Sequence, residues 1–120
     1  MKKVYGLILL FLCFGSAAFA AVTGAEAPKG EEPLLITNAG QGPGGKMGRL
    51  LVTRAAVVKE LTYNAEPKPD DLAAGGYKTM LVVIGSSAKG LGASGITIDQ
   101  EVDRLNAMMA KAKELKIQVI

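Results

Sequence analysis

The chain has 120 residues, with 14 basic and 11 acidic side chains, one cysteine and no histidine. Without histidine, a Ser-His-Asp triad, a Cys-His pair and a histidine metal site are all excluded within it. Setting aside Lys2 and Lys3 lowers the net charge from +3 to +1, so no basic stripe points to nucleic acid.

The first element is a targeting segment. Lys2 and Lys3 open it, Val4 to Phe14 is an apolar run, and Ala18-Phe19-Ala20 is a small-x-small cleavage site. Residues 1–20 therefore read as a secretory signal peptide cleaved after Ala20, and the mature protein is expected in the periplasm or outside the cell. The apolar run is shorter than the roughly 20 residues of a membrane span, so no stable span is expected after cleavage. Cys13 follows Leu12 where a lipoprotein signal wants a small residue, and it leaves with the signal. The mature chain can then form no disulfide, although its compartment would permit one. No Asp-x-Asp loop is present, so neither a metal nor another cofactor is expected.

Residues 21–32 are polar, with Gly24, Pro28 and Gly30, and read as a flexible tether. Residues 33–120 are enough for one small domain. Leu34 to Thr37 predicts a buried strand that ends at a glycine cluster. From Lys46 the period changes: Met47, Leu50, Leu51, Arg54, Ala55 and Val58 share one helix face. Gly48 falls in the first turn of this helix. Lys59 to Tyr63 predicts a short strand, and Pro67 and Pro69 then break the chain. Asp70 to Ala74 predicts one helical turn, stopped by Gly75-Gly76.

Thr79 to Ile84, "TMLVVI", is the clearest strand, and its unbroken apolar run suggests burial on both faces. "GSSAKGLGASG" reads as a loop. A helix is predicted from Thr97, where Thr97 and Gln100 fit a capping box. Its apolar seam would be Ile98, Val102, Leu105, Met109 and Ala112, widened by Met108 and Leu115. Ile117 to Ile120 begins another strand. Strands and helices alternate, which predicts a three-layer α/β sandwich around a parallel sheet. Right-handed crossovers favour a flavodoxin-like or Rossmann-like order 2-1-3-4, with the two full helices on opposite faces. Two helices leave apolar sheet surface uncovered. That predicts a missing C-terminal part, or a partner such as a second copy of the chain.

Two loops carry similar spellings. Gly40, Gly42 and Gly45 write G-x-G-x-x-G, and so do Gly90, Gly92 and Gly95; Gly40, Gly45 and Lys46 also write G-x-x-x-x-G-K. In the favoured order the two loops sit side by side, at the point where α/β sheets bind ligands. A triphosphate site lacks its parts: Met47 stands where Ser or Thr would hold magnesium, and "TMLVVIG" has no terminal aspartate. A dinucleotide site needs an acidic residue at the end of the second strand, whereas Glu60 falls at its start. A smaller anion, phosphate or carboxylate, fits better. Glycine amides and a helix start would approach it, Lys46 and Lys89 would neutralise it, and Thr37, Asn38, Ser86 and Ser87 would offer hydrogen bonds. The plain alternative is that the glycines only allow tight turns.

Ser86-Ser87-Ala88-Lys89 also spells S-x-x-K, which raises a serine-dependent hydrolase using Ser86, Ser87 and Lys89. In penicillin-binding enzymes that motif opens a helix, whereas here Gly90 and Gly92 follow, and no S-D-N or K-T-G accompanies it. Asp99, Glu101 and Asp103 do not form a metal cluster, because residues two apart on a helix are separated by about 200°. They read as first-turn charges that suit the helix dipole.

At "PLLITNAGQGPGGKMGRLLVTRA", "VVIGSSAKGLGASGI" and "DQEVDRLNAMMAKAKELKIQVI", the chain resembles the domain of unknown function 6305 family of exported bacterial proteins, over about residues 33–120. The resemblance implies export and an α/β fold. It also implies a chain that continues past the last strand into another glycine-rich loop. It carries over no catalytic or binding residues.

Overall fold

The computed structural model describes residues 29–120, so the predicted signal peptide and most of the predicted tether lie outside the described residues. The elements are β1 (Leu34–Ala39), α1 (Gly44–Ala55), β2 (Leu61–Tyr63), α2 (Pro69–Gly75), β3 (Thr79–Ile84), α3 (Ala88–Ser94), α4 (Ile98–Glu114) and β4 (Gln118–Val119). The strands form one parallel sheet in the order β2-β1-β3-β4, as expected. β1 and β3 carry the longest apolar runs and pair over six residues, from Leu34↔Thr79 to Ala39↔Ile84. β2 and β4 are shorter and lie at the edges. Upstream of β1, Glu32 accepts from the amides of Lys59 and Glu60, and Glu31 exchanges two hydrogen bonds with Thr79.

Side chains alternate across a strand, so each face of the sheet has its own cover. Leu35 and Met80 point to one face and form the core with Leu72 of α2, Met108 and Ala112 of α4, and Ile117. Ile36, Asn38 and Val83 point to the other, where they meet glycines of α1. The result is three layers.

Both long helices are rotated from the expected faces. α1 packs through its glycines: a Cβ at Gly44 would sit 2.7 Å from Val83, and one at Gly48 3.3 Å from Val83. Its expected apolar face points to solvent, with Met47 56%, Leu50 41% and Leu51 64% exposed. Periodicity counted the large apolar residues, but the close approach of helix to sheet selects the positions with no side chain. In α4, Ile98, Val102, Met109 and Leu115 of the expected seam are exposed, and Glu101 is buried beside Met108 and Ala112. The cause is polar: Glu101 reaches the end of β1, as described below. The capping box at its start forms as expected, with Gln100 N–H donating to Thr97 Oγ1 (3.2 Å) and Thr97 N–H to Gln100 Oε1 (2.8 Å).

The stretch read as a loop after β3 contains α3. Ser87 caps it, accepting from the Gly90 amide at 2.9 Å, and Leu91 is buried beneath it. That cap and that anchor outweigh two helix-weakening glycines. No described helix is long and apolar enough to cross a membrane.

Candidate functional site

The carboxyl ends of β1 and β3 place the two glycine loops side by side, and backbone bonds join them. Gly85 N–H donates to Ala39 O (2.8 Å), Ser87 N–H donates to Gly40 O (3.0 Å), and Gln41 and Ser86 form an isolated antiparallel bridge. Gly40 turns the chain at φ +91°, and a Cβ there would lie 2.7 Å from Gly85 O. At Gly42 it would lie 2.6 Å from the same oxygen. These glycines are required by the contact between the loops.

Three of the glycine amides are satisfied from within. Gly45 N–H donates to Asn38 Oδ1 (2.7 Å), Gly90 N–H to Ser87 Oγ, and Gly40 N–H to Glu101 Oε1 (2.8 Å). The last bond crosses from α4. Glu101 also accepts from Gln41 Nε2 (3.2 Å) and from Arg104 Nε and Nη2 (2.9 and 2.8 Å). Arg104 Nη2 in turn donates to Asn38 O. The Arg104 guanidinium holds the Glu101 carboxyl down at about pKa 2, and the Gly40 amide and Gln41 add to this against the opposing effect of burial. The Gly40 amide thus already holds an anion, the protein's own carboxylate. Arg104 Nη1 is buried without a hydrogen-bond partner among the described residues.

In front of the loops, between the starts of α1 and α3, lies a cleft of about 450 Å³. Asn38, Gly42, Lys46, Ser87, Lys89 and Gly90 line it, together with Gln41, Pro43, Tyr63, Ala65 and Ala93. Lys46 and Lys89 come from different loops, and neither ammonium has a partner among the described residues. Asn38 Nδ2 donates to Tyr63 Oη at 3.2 Å.

The other predicted residues lie elsewhere. Thr37 is fully buried and donates to Ala65 O (3.3 Å). Gly40 and Gly45 are outside the lining, held by the bonds above. Ser86 is exposed and also outside it. Gly92 is within α3, and Gly95 ends that helix at φ +67°. Neither serine bonds Lys89, and Ser87 Oγ serves as the helix cap, so a serine-lysine pair is not assembled. Glu60 is exposed ahead of β2, away from a ribose-binding position. No group of three or more His, Cys, Asp or Glu that could hold a metal occurs among the described residues.

Tyr63 and Gln41 are wall residues that the sequence reading missed. Tyr63 ends β2, so strand order alone would have brought it to the cleft. Gln41 has φ +60°, an uncommon left-handed value for a side-chain-bearing residue. Glu101 and Arg104 were also missed; a carboxylate and an arginine three residues apart, in line with Met108, were the available signal.

The model of the family described as Domain of unknown function (DUF6305) matches residues 31–120. No curated protein and no solved structure matches the chain.

Proposed function

We propose that this chain, which belongs to the DUF6305 family, is a binding module for a small anionic ligand held in the cleft between the two glycine loops. One observation carries the reading: two loops each present to the same cleft, at the carboxyl ends of the central strands, a lysine with no partner among the described residues. Helix α1 starts there and adds partial positive charge, although Asn38 Oδ1 already takes the Gly45 amide of its first turn. The anion is held chiefly by side chains, because the Gly40, Gly45 and Gly90 amides are already occupied. Export through the signal peptide is part of this proposal.

The test is a melting curve with a panel of phosphates, phosphosugars and small carboxylates. A ligand that prefers the folded state raises the midpoint. Lys46→Ala with Lys89→Ala should abolish the rise. A panel that moves nothing, or a double variant that binds as before, would overturn the reading.

A second reading rests on apolar exposure. Ile84 (84% exposed), Met109, Val119 and Ile120 border a groove of about 370 Å³ beside α4. Exposed patches of this kind often mark contact surfaces, so we also propose a structural or interaction role in the envelope, with self-association through this face. Sedimentation at increasing concentration tests it, and a monomer throughout would remove self-association.

A further inference from the structure

The cleft wall is one-sided in its hydrogen bonding. Its side-chain acceptors are engaged by the protein itself. Asn38 Oδ1 takes the Gly45 amide, Gln41 Oε1 (3.2 Å) shares the Ser94 hydroxyl with Glu66 Oε1 (3.4 Å), Ser87 Oγ takes the Gly90 amide, and Tyr63 Oη takes Asn38 Nδ2. The hydroxyl hydrogens of Ser87 and Tyr63 go to no protein acceptor among the described residues, and neither do the ammonium hydrogens of Lys46 and Lys89. Four donors from three elements, α1, β2 and α3 with its cap, therefore face a space whose side-chain acceptors each already take one hydrogen bond. No carboxylate lines it.

Such a wall favours a ligand group rich in acceptors. Each wall acceptor already takes one hydrogen bond, whereas the two ammoniums and two hydroxyls have hydrogens to give, and a charged oxyanion meets them best. A carboxylate has two oxygens in one plane. A tetrahedral oxyanion has three free oxygens and can meet donors arriving from several directions, two of them cationic. The space is also too large for that group alone, since 450 Å³ is about fifteen times the volume of a water molecule. Pro43, Ala65, Ala93 and the Tyr63 ring wall the remainder, and they suit an organic body.

We infer that the ligand is an organic phosphate monoester, with its dianionic head between Lys46, Lys89, Ser87 and Tyr63. This rests on the anion-binding reading above and names the chemistry of that site. Isothermal titration of the purified chain with phenyl phosphate, inorganic phosphate, phenyl sulfate and benzoate tests it. Phenyl phosphate should bind most tightly, by about tenfold over benzoate, the scale of one hydrogen bond to a charged group. Tyr63→Phe and Ser87→Ala should each weaken phenyl phosphate by a similar factor and leave benzoate nearly unchanged. If benzoate or phenyl sulfate binds as tightly as phenyl phosphate, the phosphate assignment is wrong while the anion site stands. If inorganic phosphate equals phenyl phosphate, the organic body is wrong. If none of the four binds, the anion reading falls with it. Should Ser87→Ala fail to fold for want of its helix cap, Tyr63→Phe decides alone, and unchanged affinity there overturns the assignment.

Discussion

The two glycine loops share a spelling and differ in what their glycines do. In the first, Gly40 and Gly42 lie against the backbone of the second loop, and Gly45 lies against Asn38 and Tyr63. In the second, Gly90 meets the Gln41 carbonyl, while a Cβ at Gly92 or Gly95 would meet nothing within 4 Å. One G-x-G-x-x-G is thus a packing requirement at every glycine, and the other at only its first. The same letters arise from close approach in one place and from helix ending in the other, so a glycine motif carries meaning only with its neighbours.

Alanine substitution breaks this comparison most sharply. Gly40→Ala combines a left-handed φ with a clash against backbone, and Gly90→Ala drives a methyl into the Gln41 carbonyl. Each should cost about 1–3 kcal/mol or more by overpacking, read as a fall in urea midpoint at constant slope. Wild-type stability in both would show that the loops do not press together.

The first loop also differs in being tied from behind, through Glu101. Its carboxyl titrates at about 2 in the folded protein, against an ordinary value of 4.5. Because the folded value is the lower one, the stabilisation is fully present above about pH 4.5 and is lost as pH falls through 2. The contribution is on the order of a few kcal/mol. Glu101→Gln should lower stability at pH 7 and narrow its gap to the wild type between pH 4.5 and 2. A gap independent of pH would mean that the Arg104 pairing contributes little.

Strand order, the position of both loops and the Thr97 cap were legible because they depend on local pattern: apolar runs, turn residues and a capping box. The rotation of the helices was not. Gly44 and Gly48 pack α1 by what they lack, and a count of large apolar side chains cannot see that. Glu101 was misread for a related reason. Near a helix start a carboxylate usually suits the dipole, and only the fold brings the Gly40 amide and Gln41 to it. Of the predicted site, Lys46, Lys89, Ser87 and Asn38 line the cleft because the strand ends and the two loops set their positions. Thr37 does not, because β1 continues two residues further, to Ala39, and buries it.

Smaller effects sharpen the contrast within the second loop. Ser87→Ala removes the cap of α3 and should cost about 1 kcal/mol. Gly92→Ala should do the reverse. Gly92 sits in the helix, its φ is not positive, and a methyl there would point into open space. Alanine then favours the helix and restricts the unfolded chain, a gain of about 0.5–1 kcal/mol. The measurement is the urea midpoint of Gly92→Ala beside that of Gly90→Ala, two residues earlier in the same helix. Opposite signs would show that one spelling joins a required glycine to a dispensable one. A loss at Gly92 of the same size as at Gly90 would mean that something covers that open side of α3 in the folded protein. The second loop would then be as closely packed as the first, and the contrast between them would fail.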